Sequence, residues 1–590
     1  MVKPRITSTL TAVALLVMTL AAFAVIVSCG GEDPTATSVP VQPTATQAPA
    51  PTEAPAPTEA PEPTAAPEPT AAMAPDSDGK RGGSLIRGVS RTLRAWDYNT
   101  EAVWFAPQSL QRHYSNLVRF DPADGTTIIP DLATEWAIAD DAAGINFTIR
   151  DGVQFHDGQG LTLEDIKWTF ERSKSPPEGE RYPRLLALQS ITDITIIDDN
   201  NITIAYENPN AEFIQNFAAA WGIVFAQHVM EQEGGMNGPD RVVGTGPFII
   251  DEAEMEEFVT SRNNPDYFLD APDGDPFPYL DEMTTVALSD VEARIAAIQT
   301  GRIDIASFDP AEFAPAVGAL NSIGDSVRME ISPLAGINYL SMNANGPPFD
   351  DLKARRAAYL LFDRLRMQQL ESLPTGEFAS VPTGFFGTVD PFIDEIPDIW
   401  EVSKDSREEA VAEGKALADE LGIDGFEMVV NSRSFFQELA QLAAQVYADA
   451  GWEVTLNVGD SAANAELIQS ANFEMSMSTP NVVLPSVSAF LLEQYLPGGR
   501  EANAAPPPDK IYDLLTELQG ATDPVDAHAA TREIQKVMRE EWIPVVPMGK
   551  QVGSSELVAN HVQDRPGALG QWFNLHTWTD VWIDENSPRK

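Results

Sequence analysis

The chain has 590 residues, 38 basic and 88 acidic side chains for a formal charge of −50, one cysteine and six histidines. Such a polyanion repels phosphate backbones, which excludes nucleic acid as a partner, and the lone thiol, Cys29, allows neither an intramolecular disulfide nor a cysteine-based zinc cage. At 43% hydrophobic and 21% charged residues the composition is globular, with length for about three to four domains of about 150 residues. The acidic excess reads as a solvated surface that keeps the protein soluble and monomeric.

Lys3 and Arg5 precede an apolar run from Leu10 to Val27 that ends in Ser28-Cys29-Gly30. A positive start, an apolar stretch and small residues make a secretory signal. The run has 18 residues, close to a bilayer span, so an uncleaved anchor is the competing reading. Ile26-Val27-Ser28-Cys29 resembles the bacterial lipobox, which implies residues 1–28 as a lipoprotein signal peptide and Cys29 as the lipidation site. Two or more acyl chains anchor stably where one does not. Residues 29–79 read as a disordered Pro/Thr/Ala-rich stalk, with 12 prolines between Pro34 and Pro75. That segment favours polyproline II and cannot bury a core; at about 3.1 Å per residue it spans on the order of 100 Å.

From Lys80 the texture becomes mixed α and β. Arg81–Gly88 reads as a loop entering a strand, and Asn146–Arg150 alternates like a half-buried strand. Thr162 and Asp165 form a capping box that predicts a helix over 162–174. Further helices are predicted at 290–300, 350–370, 405–421, 434–450 and 526–541, stopped by Gly301, Gly422 and Gly451 or ended before Pro544. Gly244-Thr245-Gly246-Pro247 suits a sharp turn using backbone of positive φ, and Phe248-Ile249-Ile250 reads as a strand, so this is no phosphate loop. Phe155-His156-Asp157-Gly158 reads as a turn with a hydrogen-bonded histidine. The histidines include no i, i+4 pair and no His-x-His, so no metal site is expected.

Several segments form an ordered series: Tyr114–Asp121, Ile129–Trp136, Phe147–Gly158, Leu161–Ile166, Val243–Phe248, Arg262–Phe268, Ala293–Asp304, Asn343–Asp350 and Glu533–Pro547. The series resembles the extracytoplasmic solute-binding protein family 5 of ABC importers, the peptide/nickel-binding group, over about residues 110–590. The resemblance implies an α/β, periplasmic-binding-protein-like two-lobed clamp (type II, with an extra domain) that encloses a ligand and docks on a permease and its ATPase. It implies domain I as 80–117, 243–340 and 549–590, domain II as 118–242, and domain III as 341–548. Ligand affinity would then shift the open and closed populations.

In peptide-binding relatives the segment after a strand like Phe473–Met477 carries a tryptophan and aspartates, one of which pairs with the ligand's ammonium; here it reads Ser478-Thr479-Pro480-Asn481-Val482-Val483-Leu484-Pro485. A buried ammonium without a counter-charge costs several kcal/mol, so Asn481, a hydrogen-bond acceptor, suits a neutral or differently charged ligand. Candidate cleft residues are aromatics in turn-like contexts, Trp96, Tyr98, Trp104, Phe105, Trp221, Phe385, Phe386, Trp572 and Phe573, with Asn99, Asn338 and Asn574 as polar neighbours. The functional expectation is a lipid-anchored substrate-binding protein, binding a peptide or peptide-like solute outside the cell. A non-peptide solute (oligosaccharide or metal chelate) or a sensor without transport is the alternative. No cofactor is expected. The domain beyond the stalk has no cysteine nucleophile, Gly-x-Ser-x-Gly, His-Glu-x-x-His or Walker A motif, so an enzyme is not expected.

Overall fold

The structure, a computed structural model, describes residues 79–100, 105–123, 125, 127–177, 182, 186–233, 235–309, 312–371, 385, 406–478, 486–565 and 578–590. The lipobox-like residues 26–29, the apolar run before them and the proline-rich segment lie outside them. Among the described residues no helix is long and apolar enough to cross a membrane.

In chain order the strands are β1 (Ser84–Val89), β2 (Val118–Phe120), β3 (Ile128–Pro130), β4 (Ala133–Ile138), β5 (Gly144–Ile149), β6 (Ile191–Ile196), β7 (Asn201–Tyr206), β8 (Phe248–Glu254) and β9 (Phe258–Asn263). They continue as β10 (Glu282–Ala287), β11 (Ile305–Phe308), β12 (Val327–Met342), β13 (Gly425–Asn431), β14 (Glu453–Gly459), β15 (Met475–Ser478), β16 (Val545–Ala559), β17 (Val562–Gln563) and β18 (Trp582–Ile583). Ten of them share one sheet in the order β14-β13-β15-β12-β16-β11-β1-β10-β9-β8, and β4-β5-β7-β6 form a separate antiparallel sheet. β7 alternates buried and partly exposed residues along its length, whereas β11 and β15, flanked on both sides, are buried throughout.

Helix ends follow local chemistry. Thr162 caps Leu163–Lys174 through a reciprocal capping box with Asp165, and Gly422 and Gly451 end Arg407–Leu421 and Ser434–Ala450 in the left-handed conformation. The helix expected over 350–370 is two helices, Leu352–Leu361 and Arg364–Glu371. Phe362 is extended, and the Asp363 carboxylate accepts the Arg366 amide at 2.9 Å, restarting the helix after the break.

Two long strands join the halves of the large sheet. One end of β12 pairs with β16 beside β11, and its other end pairs with β15. Between them the register shifts at Ile331/Pro333, Pro333/Ile337 and Asn338/Tyr339. The result is two α/β lobes bridged by a crossing strand pair. β1, β8–β11 and one end of β12 and β16 make the first lobe; β13–β15 and the opposite ends make the second.

The Gly244–Pro247 turn packs against the segment around His113. Neither glycine adopts a positive φ, which corrects that expectation. A Cβ on Gly244 would stand 2.1 Å from the His113 carbonyl oxygen, and one on Gly246 would stand 2.5 Å from the His113 carbonyl carbon. Close approach of two backbones is what requires glycine here. His156 closes the turn with Nε2 3.0 Å from the Gly246 carbonyl, and burial lowers its pKa to about 4, so it is neutral.

The first lobe encloses an ion cluster. Glu556 accepts from Arg87 at Nη2 (2.7 Å) and Nε (3.0 Å) and from Ser307, and its other oxygen meets Arg565. Arg565 also lies 3.0 Å from Glu330, and Trp578 stacks near both guanidiniums. Burial alone would raise the Glu556 pKa; Arg565 and Arg87 outweigh it and hold the carboxyl well below the usual range.

Candidate functional site

β1 runs parallel to β10 and β11, so the three carboxyl ends, Val89, Ala287 and Phe308, lie on one side. Phe308 pairs with Ser555, next to the crossing segment of β16. In the second lobe β13 runs parallel to β14 and β15, and Ser478 at the end of β15 pairs with Tyr339, next to the crossing segment of β12. Both lobes therefore turn the carboxyl ends of their parallel strands toward the strand crossing, where open α/β sheets bind ligands.

On the second lobe these ends surround a cavity of about 300 Å³, lined among others by Asn431, Arg433, Phe436, Asn464, Met477 and Arg500. Asn431 organises its rim: Oδ1 accepts the Arg433 amide at 3.1 Å, and Nδ2 donates to Ser461 Oγ at 2.8 Å. That turn sets Arg433 at the start of helix Ser434–Ala450, which has no side-chain cap. Arg500 sits on a turn folded over helix Val487–Gln494, with its amide on the Glu493 carbonyl at 2.9 Å. A Cβ on Gly499 would meet the Gln494 backbone at 2.8 Å, so the preceding residue must be glycine for the turn to close. Neither guanidinium has a hydrogen-bond or ion-pair partner among the described residues. Asn464, 8% exposed, keeps its Oδ1 without a donor.

Tyr339, Ser341, Ser476, Ser478, Tyr495 and Glu501 are buried on and beside β12 and β15. Burial raises the Glu501 pKa, and Arg500 opposes the shift. Ser341 and Ser478 oppose the shift further, but neither makes a well-formed hydrogen bond among the described residues. In the first lobe Asp309 follows β11, its pKa raised by burial against a hydrogen bond from Ser90.

The sequence-derived candidates are spread over several places. Trp96, Tyr98, Trp221 and Phe385 are in one continuous hydrophobic core. Tyr98 donates to the Ala220 carbonyl at 2.6 Å and meets Tyr114 edge-on; the Phe385 amide donates to Gln535 at 3.3 Å. Asn99 and Asn338 are buried, and each keeps a side-chain oxygen without a donor among the described residues. Asn338 lies on the crossing part of β12, opposite Gly549. Trp104, Phe386, Asn481, Trp572, Phe573, Asn574 and Cys29 are outside the described residues, as is the side chain of Phe105. Among the described residues no three His, Cys, Asp or Glu side chains converge as metal ligands.

Arg433, Asn464 and Arg500 were not among the candidates. Only Arg433 has a local signal: an apolar strand, Met428–Val430, a polar turn and then a helix place it at a strand's carboxyl end.

The family model for bacterial extracellular solute-binding proteins, family 5 Middle, matches residues 127–501. The chain belongs to this family. The solute-binding protein is 25% identical over 475 residues to the probable deoxycholate-binding periplasmic protein YgiS of Escherichia coli, covering 75% of this chain and 85% of that one. It is 24% identical over 432 residues to the glutathione-binding protein GsiB of Salmonella typhi, covering 70% of this chain and 80% of the relative. Its fold matches that of the periplasmic binding protein DppA from Helicobacter pylori, solved with the peptide STSA. There the TM-score is 0.64 at 19% identity, over 86% of this chain and 99% of that one. The two-lobed α/β fold and the solute-binding class are therefore those expected from the ordered motifs.

Proposed function

We propose that this solute-binding protein is the receptor of an ABC importer that captures a peptide or peptide-like solute between its lobes and hands it to the permease and ATPase. The observation that carries this reading is the pair of facing strand ends at the crossing, in a chain of family 5. Relatives that bind glutathione, and one solved with a peptide, support a peptide-like solute. We place domain I in 80–117, 243–340 and 549–590, domain II in 118–242 and domain III in 341–548; the separate β4–β7 sheet falls within the second of these. The protein acts as a monomer, outside the cell, held at the membrane by lipid on Cys29 and spaced from it by residues 29–79.

The test is a thermal melt of the full chain in non-ionic detergent with pooled tripeptides to pentapeptides, oligosaccharides or metal chelates. A rise in Tm with the peptide pool alone is the expected result; a rise only with sugars or chelates refutes the peptide reading. Palmitate labelling that persists in Cys29→Ala refutes the anchor.

A further inference from the structure

Between Arg5 and Lys80 the chain has no lysine or arginine, and the pair Lys80-Arg81 then stands at the start of the described fold, followed by Gly82-Gly83. A basic pair at such a junction is where a trypsin-like protease nicks a chain. Here the pair is folded away. Arg81 forks onto Asp273, with Nε 2.6 Å and Nη2 2.7 Å from its two oxygens, and it donates to the Asp275 and Pro276 carbonyls, each at 2.9 Å. Lys80 donates at 2.7 Å to Asp564, which also accepts from the Trp582 ring nitrogen. The Lys80 ammonium lies 5.4 Å from the Tyr279 ring centre and 5.5 Å from that of Trp582.

The segment Ser587–Lys590 straps down the backbone of the pair. Lys590 Nζ donates to the carbonyls of both Lys80 and Arg81, at 3.0 and 2.8 Å, and these are the carbonyls that hydrolysis after a basic residue attacks. The Arg589 carbonyl accepts the Ser84 amide at 3.1 Å. Its guanidinium is fixed at 2.7 Å by Asp304, a fully buried carboxylate that also takes the Ile86 amide. The Gly82 amide donates to the Tyr279 carbonyl at 2.8 Å. Gly82 and Gly83 have φ of +97° and +87°, whereas a protease binds its substrate as an extended strand of negative φ. A Cβ on Gly83 would stand 2.8 Å from the Arg589 carbonyl oxygen, so the strap lies directly against the chain.

We propose that Lys80-Arg81 is a masked processing site, which a trypsin-like protease cuts only when the Ser587–Lys590 strap lifts. In that step water adds across the peptide bond after Lys80 or Arg81. The basic residue keeps the new carboxylate, and Arg81 or Gly82 becomes the new amino end. The proposal rests on the reading of residues 29–79 as a tether, since a cut at this junction frees the solute-binding domain from its anchor. The tether itself offers such a protease no basic residue, so the strap governs release. Cleavage of a folded chain follows the population of its locally opened form. Here opening must break the Arg81 fork and both Lys590 hydrogen bonds, which are charge-assisted and therefore among the stronger kind.

The test is limited trypsin digestion of the full chain in non-ionic detergent, read by mass spectrometry of the fragments. The unmodified protein is compared with Asp273→Asn combined with Lys590→Gln, and with Lys590→Arg, which keeps the charge and the donors; Tm reports whether each variant folds. The double variant should be cut after Lys80 or Arg81 about tenfold to a hundredfold faster than the unmodified chain. Cutting elsewhere in residues 82–590 should change by less than about twofold, and Lys590→Arg should stay near the unmodified rate. An equal rate at the pair in the double variant, or prompt cutting there in the unmodified protein, overturns the mask. Faster cutting at every site alike also overturns it, because general destabilisation then accounts for the result. None of these outcomes depends on lipid: palmitate labelling that persists in Cys29→Ala removes the tether reading and leaves the masked site standing.

Discussion

Glu556→Gln tests the ion cluster of the first lobe. The carboxylate accepts two hydrogen bonds from Arg87 and one from Ser307, and it meets Arg565. The Arg87 and Arg565 side chains are only 4% and 3% exposed. Arg565 keeps Glu330 after the substitution, so Arg87 becomes the buried charge without a counter-ion. Breaking one partner from such a pair costs about 3–5 kcal/mol. At about 2–4 °C per kcal/mol for a unit of 150–250 residues, Tm should fall by about 6–20 °C. The control is Glu420→Gln, whose partner Lys353 lies 2.6 Å away with both side chains more than half exposed; its cost should be about 0–1 kcal/mol. Differential scanning calorimetry of both variants at pH 7 decides the matter. The folded-state pKa of Glu556 lies below its unfolded value, so its stabilisation is complete above the ordinary glutamate range and is lost as pH falls through the folded pKa. The gap between wild type and variant should therefore narrow below about pH 4. Equal costs for Glu556→Gln and Glu420→Gln at pH 7 would refute the assignment.

Gly244→Ala drives a methyl group into the His113 carbonyl, 2.1 Å from an ideal Cβ, and should cost about 1–3 kcal/mol or more; Gly160→Ala, with nothing within 4 Å, should stay within about 0.5 kcal/mol in the same urea titration. Asp131 is lifted to about 6 by burial, against the pull of Arg119, the Asn116 amide and Arg150. Its folded pKa is above its unfolded one, so the native state loses stability as pH rises from about 4 through 6. Asp131→Asn keeps an oxygen for the Asn116 amide, 2.8 Å away, and should raise the urea midpoint at pH 8 and by much less at pH 4.5.

Much of the fold was legible because it is written locally. The Thr162–Asp165 box, Gly422 and Gly451 set helix ends through hydrogen bonds and left-handed backbone within a few residues. The joining of both lobes in one sheet was not, since β12 meets β16 across more than two hundred positions and no local pattern encodes that pairing. The aromatics Trp96, Tyr98 and Trp221 stand in turn-like sequence, yet packing drew them into the core, where large rings bury most area. Arg433 and Arg500 escaped notice because each alone is an ordinary surface arginine; only the parallel pairing of β13 with β15 gathers their loops. Asn99 and Asn338 were found by their proximity to aromatics, but what distinguishes them is a buried oxygen without a donor.

The register shifts in β12 have a consequence for affinity. Pro333 has no amide hydrogen, and the ladder to β16 slips on either side of it. In the proposed clamp, a strand pair already interrupted there would bend with few hydrogen bonds to break, so this short stretch would bias the balance of open and closed forms. Measured affinity equals intrinsic affinity scaled by the population of the competent state. On that reading, substitutions around Pro333 would change how tightly the protein holds its solute by shifting this population.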